Sequence, residues 1–146
     1  GREGRVRLDA NRAWDLSTAV DFIERLYKGG LTKEQIEYIE EPLRDPKELQ
    51  EFYQRSSCLY ALDESLLEGV DFSHWEGIGA LIVKPMLLGG FAASLKWKKI
   101  AQKIGCSVVI SSLMESLDGL NILKEYAAAL HEKDVAAGLD TGRFFV

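Results

Sequence analysis

Short apolar runs alternate along this chain with longer stretches in which apolar residues recur every three to four positions. The short runs are RVRLD (5–9), IEYIE (36–40), LYALD (59–63), ALIVK (80–84), SVVISS (107–112) and VAAGLD (135–140). They are rich in β-branched and aromatic residues and predict strands. Between them the period lengthens. Stretch 17–28 sets Val20, Ile23, Leu26 and Tyr27 on one helical face, and 92–104 does the same with Leu95, Ile100 and Ile104. Asp45, Pro46 and Glu48 form a helix start, with an acid cap, a proline in the first turn and an acid three residues on. A further helix is expected over 117–131.

Strands that alternate with helices pair in parallel through right-handed crossovers, so their C-terminal ends lie on one side of the sheet. The ends of the apolar runs therefore matter. Leu59, Tyr60, Ala61 and Leu62 suit a strand buried on both faces, and Asp63 and Glu64 stop it abruptly. The same break occurs at Asp9, Glu40, Lys84 and Ser111, each roughly 20 to 30 residues after the last, which is about one βα unit. These charged and polar ends converge on one rim.

Two architectures place functional residues there: an open doubly wound sheet and a (β/α) barrel. No G-x-G-x-x-G follows the first strand, which favours the barrel. A closed barrel takes about 250 residues, so 146 residues with about six parallel strands predict part of one. The expected fold is α/β: a partial TIM barrel over residues 1–146, lacking the first strands. Uncovered edges and apolar interior would make such a chain self-associate or seek its missing part.

Composition narrows the partners. With 47% hydrophobic and 28% charged residues the chain has the balance of a soluble globular domain, and no apolar run is long enough to span a membrane. The net charge of −5 has no opposing basic stripe, and the Lys96–Trp97–Lys98–Lys99 run reads as a solvated helix face, so nucleic acid is excluded. Cys58 and Cys106 form no C-x-x-C pair, which fits a reducing cytoplasm. A small molecule is the expected partner.

Asp9, Glu40 and Asp63 offer a hard divalent cation three oxygen donors without sulfur or imidazole. Mg2+ suits that set, with Mn2+ as the alternative. Lys84 beside such a site suits proton abstraction next to a carboxylate, where ammonium and metal share the developing negative charge. Glu41 reads as a structural ion-pair partner, the Leu87–Leu88–Gly89–Gly90 stretch as a helix-leading loop, and His74 and His131 as residues outside the site. Trp14, Trp75 and Trp97 read as packing residues, and Asp140 as a residue near the rim.

LDANRAW, YIEEP, ALDES, IVKP, VISSLMES and GLDT, in this order and spacing, resemble the barrel domain of the enolase superfamily. The resemblance lies within its muconate-lactonising-enzyme-like subgroup and is closest to the o-succinylbenzoate synthase family. It implies that Asp9, Glu40 and Asp63 are Mg2+ ligands and that Lys84 stabilises an enolate-like intermediate. It places Arg7 near the substrate, Ser111 and Ser112 at a substrate carboxylate, and Asn11 and Glu64 behind the ligands. The implied reaction is a dehydration in menaquinone biosynthesis that yields 2-succinylbenzoate. The family's general base is a lysine on the strand before Arg5, and its capping domain precedes the barrel. The isolated chain is therefore expected to be an inactive fragment. A dipeptide epimerase, an N-succinylamino acid racemase and a non-catalytic metal-binding half-barrel are the alternatives.

Overall fold

Among the described residues strands and α-helices alternate: β1 (Val6–Asp9), α1 (Leu16–Lys28), β2 (Ile36–Glu40), α2 (Leu49–Ser56), β3 (Tyr60–Leu62), α3 (Glu64–Leu67), β4 (Ile78–Val83), α4 (Phe91–Ile104), β5 (Ser107–Ile110) and α5 (Leu117–Leu130). The structure is a computed structural model that describes residues 4–130 and 135–141. The chain divides into two units, Gly1–Gly79 and Ala80–Val146. Strand follows helix throughout, and the strand pairs β1–β2, β2–β3 and β4–β5 are all parallel.

In the first unit the local signals explain the elements. The Asp15 carboxylate caps α1 by accepting the Thr18 amide at 2.8 Å, and the helix buries Ala19, Val20 and Ile23. Trp14 packs on Phe22, with ring centroids 4.7 Å apart. Asp45 accepts the Lys47 amide at 3.0 Å. The expected helix start there is a 3-10 turn, Pro46–Glu48, from which α2 proceeds at Leu49. Ile23, Ile39, Leu43, Leu49, Phe52, Tyr60 and Leu62 are wholly buried and form this unit's core. The Tyr60 hydroxyl, carried into that core, donates to the Glu76 carbonyl at 2.9 Å and so is not left unpaired.

In the second unit Leu81, Val83, Ile110 and Leu123 are wholly buried. Helix α4 packs on β5 through a different face from the one its apolar residues predict. Ser94 and Ala101 are the buried positions, whereas Leu95 is 49% exposed. Small residues seven apart lie on one side of a helix and allow close approach. The Ser94 hydroxyl, bonded to the Gly90 carbonyl at 3.0 Å, enters the interior already satisfied. Tyr126 of α5 stacks on Phe91 of α4 and donates to its carbonyl at 2.8 Å.

The sixth expected strand reduces to one parallel bridge between Ser111 and Gly138. The Gly138 amide donates to the Ile110 carbonyl at 2.9 Å, and its carbonyl accepts the Ser112 amide at 2.9 Å. Gly138 weakens extended structure because it loses more backbone freedom than any other residue would. His131 lies outside the described residues.

Candidate functional site

The register places the acids. Asp9 and Glu40 are partners on β1 and β2, and Glu40 is the partner of Ala61 on β3, two residues before Asp63. Asp9 and Glu40 therefore end their strands side by side, and Asp63 follows β3 directly after Leu62, which places all three at the C-terminal ends of neighbouring strands. Asp9 is exposed, Glu40 half-buried and Asp63 buried. Among the described residues no three carboxylate, imidazole or thiol side chains gather closely enough to hold a metal ion. Like charges at one rim repel one another, so the shared rim does not by itself draw these acids into contact. Their donor chemistry, hard oxygen throughout, fits Mg2+.

Asn11 stands directly behind the first acid: its amide donates to Asp9 Oδ1 at 3.0 Å, with a left-handed backbone, φ 45°. Glu64 is the first residue of α3 and is half-buried.

Glu41, the neighbour of Glu40, is entirely buried. Its Oε1 accepts the amides of Asp63 and Ser65, each at 2.9 Å. Its Oε2 accepts Arg12 Nε at 3.0 Å and the Ser65 hydroxyl at 3.1 Å. The Arg12 guanidinium also meets Glu68 at 2.6 and 3.0 Å and donates to Ser65 Oγ at 3.0 Å. The hydrogen bonds to Glu68 and Glu41 hold the Arg12 pKa above its ordinary value, and the same contact lowers that of Glu68. The reading of Glu41 as a structural ion-pair partner agrees with these contacts.

Arg7 donates to Glu37 at 2.8 Å and lies 5.2 Å from the Tyr38 ring centroid. The Glu37 carboxyl is held below its ordinary value chiefly by that bond. Arg7 precedes Asp9 by two residues on β1 and so shares its face.

In the second unit β4 and β5 end together, Val83 being the register partner of Ile110. The residues that follow are Lys84, half-buried, and Ser111, whose amide donates to the Val83 carbonyl at 3.0 Å. The Ser111 and Ser112 hydroxyls both donate to the Gly138 carbonyl, at 3.3 and 3.1 Å. Ser112 Oγ also lies 2.9 Å from Thr141 Oγ1. Asp140 is exposed beside this pair. The same unit holds a cavity of about 630 Å3 walled by Met86, Phe91, Leu113, Met114 and Ile122.

Residues 1–140 match the model of the family described as Enolase C-terminal domain-like. The chain belongs to this enolase family. It is 38% identical over 146 residues to an o-succinylbenzoate synthase of Thermobifida fusca (strain YX), covering 98% of this chain and 44% of that protein. Among solved structures it resembles MenC from Desulfotalea psychrophila LSv54, with 28% identity, a TM-score of 0.78, and coverage of 95% of this chain and 39% of that one. It also resembles a dipeptide epimerase from Enterococcus faecalis V583, at 28% identity and a TM-score of 0.74, covering 94% and 40%. The α/β barrel-portion fold read from the strand–helix alternation is that of the enolase family, and the chain spans less than half the length of these relatives.

The network that joins Arg12, Ser65 and Glu68 to Glu41 is what sequence reasoning passed over. A signal existed. Adjacent residues at a strand end turn to opposite sides, so of two consecutive glutamates one faces the rim. The other turns away from it and needs its own donors if buried.

Proposed function

We propose that this chain is the metal-binding barrel portion of an o-succinylbenzoate synthase, a carbon–oxygen lyase. The reaction is dehydration of 2-succinyl-6-hydroxy-2,4-cyclohexadiene-1-carboxylate to 2-succinylbenzoate. The observation that carries this reading is the 38% identity to a relative of that name across 98% of the chain, with Asp9 and Glu40 side by side at the ends of β1 and β2.

Asp9, Glu40 and Asp63 would hold Mg2+, which when bound supplies Lewis-acid stabilisation of negative charge on a carboxylate. Lys84 would offset, through its ammonium, the negative charge delocalised into the substrate. Ser111 and Ser112 would receive a substrate carboxylate through their hydroxyl donors, exchanging the Gly138 carbonyl for it. Arg7, steadied by Glu37, orients the substrate from the face of β1. The α proton would pass to a general base that the rest of the barrel supplies, and loss of hydroxide then leaves an aromatic ring, so the demanding step is that proton transfer.

The likeness to a dipeptide epimerase at 28% identity favours a second reading. There Lys84 returns a proton to one face of a dipeptide's α carbon and no water is lost.

Calorimetric titration of the chain with Mg2+ tests the metal reading. Saturable binding is expected, with at least a ~100-fold loss in Asp63→Ala, the upper end for disturbed metal sites. No binding to a folded sample would overturn it. The reaction is tested by completing the barrel with the remaining part of the Thermobifida fusca relative and following the ultraviolet absorbance of the aromatic product. Lys84→Ala should lower kcat about 100- to 1000-fold. Epimerisation of a dipeptide without dehydration would favour the second reading instead.

A further inference from the structure

We infer that Glu41 is a positioning residue for the metal centre: its buried carboxylate sets the backbone from which Asp63 reaches the rim. The inference rests on the reading of Asp9, Glu40 and Asp63 as cation ligands, and gives Glu41 a part in that centre other than ligation. An ionised carboxylate offers about four acceptor positions. Those of Glu41 are taken by the Asp63 and Ser65 amides, Arg12 Nε and the Ser65 hydroxyl. It has no position left for a cation.

Two of those four bonds hold backbone directly, at Asp63 and Ser65, and the Arg12 amide is held by the Glu41 carbonyl at 2.7 Å. Asp63 has φ −121° and ψ −81°, outside the helical and extended wells. Asn11, Arg12 and Glu41 have φ of 45°, 57° and 37°, in the left-handed region, which asparagine tolerates but arginine and glutamate seldom adopt. Such conformations persist where the surroundings over-determine them. Here one carboxylate fastens the loops after β1 and β3 to the residue that follows β2, and each of those three places adjoins one of the three acids. The Asx contact from the Asn11 amide to Asp9 extends the same fixation to the first acid.

The physical consequence is preorganisation. Three carboxylates that must meet around a cation repel one another beforehand. A backbone anchored by bonds to Glu41 limits how far Asp63 can withdraw, so less ordering remains when the cation arrives. Groups behind metal ligands typically change affinity 10- to 100-fold when altered.

The test uses the 146-residue chain and Mg2+ alone. Glu41→Gln keeps the size and one acceptor oxygen but sets an NH2 group against Arg12. Calorimetry should show Mg2+ affinity lower by about 10- to 100-fold. Amide hydrogen exchange without metal should accelerate at Asp63 and Ser65. Ile23→Val, which loosens the core away from the rim, should leave both readings unchanged and so separates positioning from general stability. Affinity within twofold of the parent in folded Glu41→Gln overturns the inference. If Glu41→Gln does not fold, Ser65→Ala, which deletes the hydroxyl bond to Oε2, carries the test with an expected loss of about fivefold, the equivalent of one net hydrogen bond. Unchanged affinity there overturns the inference too. Failure of the parent to bind Mg2+ overturns the metal reading itself, and exchange at 63 and 65 then decides alone whether Glu41 sets this backbone.

Discussion

Arg12 is 20% exposed and its partner Glu41 wholly buried, so removing the guanidinium strands a carboxylate among groups that cannot replace it. Breaking a buried pair from one side costs about 3 to 5 kcal/mol. Arg12→Met is expected to lower stability by about 3 kcal/mol in urea unfolding, with Glu68→Gln, at the exposed end of the network, costing under about 1 kcal/mol. The cysteines make a second case at this scale. Burial pushes the Cys58 thiol from 9.0 up to about 11 and the Cys106 thiol up to about 12. Thiolate is the reactive form. Neither cysteine should be alkylated by iodoacetamide at pH 8 in the folded chain, and both should react in guanidinium, as read by mass spectrometry.

Elements depend on residues that end them as much as on those that fill them. Gly77, just before β4, has φ 81°, and a Cβ there would lie 2.2 Å from Cγ of Tyr53 on α2. Its carbonyl accepts the Tyr60 amide at 3.0 Å, so the backbone cannot simply shift aside. Gly77→Ala combines left-handed strain with overpacking and is expected to cost about 3 kcal/mol or more. Asp15→Ala removes the α1 cap and should cost about 1 kcal/mol. Denaturant melts of the two variants check both numbers. Helix α4 shows where periodicity misleads: Leu95 fitted the apolar stripe, yet the packed side is the one where Ser94 and Ala101 permit close approach. Apolar period reports which residues avoid water, whereas packing also depends on volume.

The whole molecule should weaken in alkali. Buried thiols and phenols whose pKa is raised on folding keep their protons longer in the folded state than in the unfolded one. Besides the two cysteines, burial raises Tyr27 from 10.0 to about 12. Their contribution is fully present below about pH 9, the ordinary thiol range, and is lost as pH rises through the raised values. The melting temperature should therefore fall from pH 9 toward pH 11, and Cys58→Ala should flatten part of that slope. In the second unit Met86, Met114, Leu117 and Ile122 are 54 to 66% exposed. Surface of this kind drives association. Sedimentation velocity should show concentration-dependent self-association, reduced in Met114→Glu.

The alternation of β1 to β5 with α1, α2, α4 and α5, and the parallel strand direction, were legible in the sequence, whereas the short α3 and the reduction of the sixth strand to one bridge were not. The legible features depend on local period and on a chirality rule that holds for nearly any βα chain. Asp9, Glu40 and Asp63 stood out because charge interrupts an apolar run only for a reason; register places Asp9 beside Glu40, whereas the backbone of Asp63 is held by Glu41. Whether the three acids close on a point, which of two adjacent glutamates is buried, and which face of α4 packs were decided by tertiary structure. Each depends on contacts between segments far apart in the chain. The Glu41 carboxylate takes its donors from Arg12, after β1, and from Asp63 and Ser65, at the start of α3, and no single stretch of sequence contains that set.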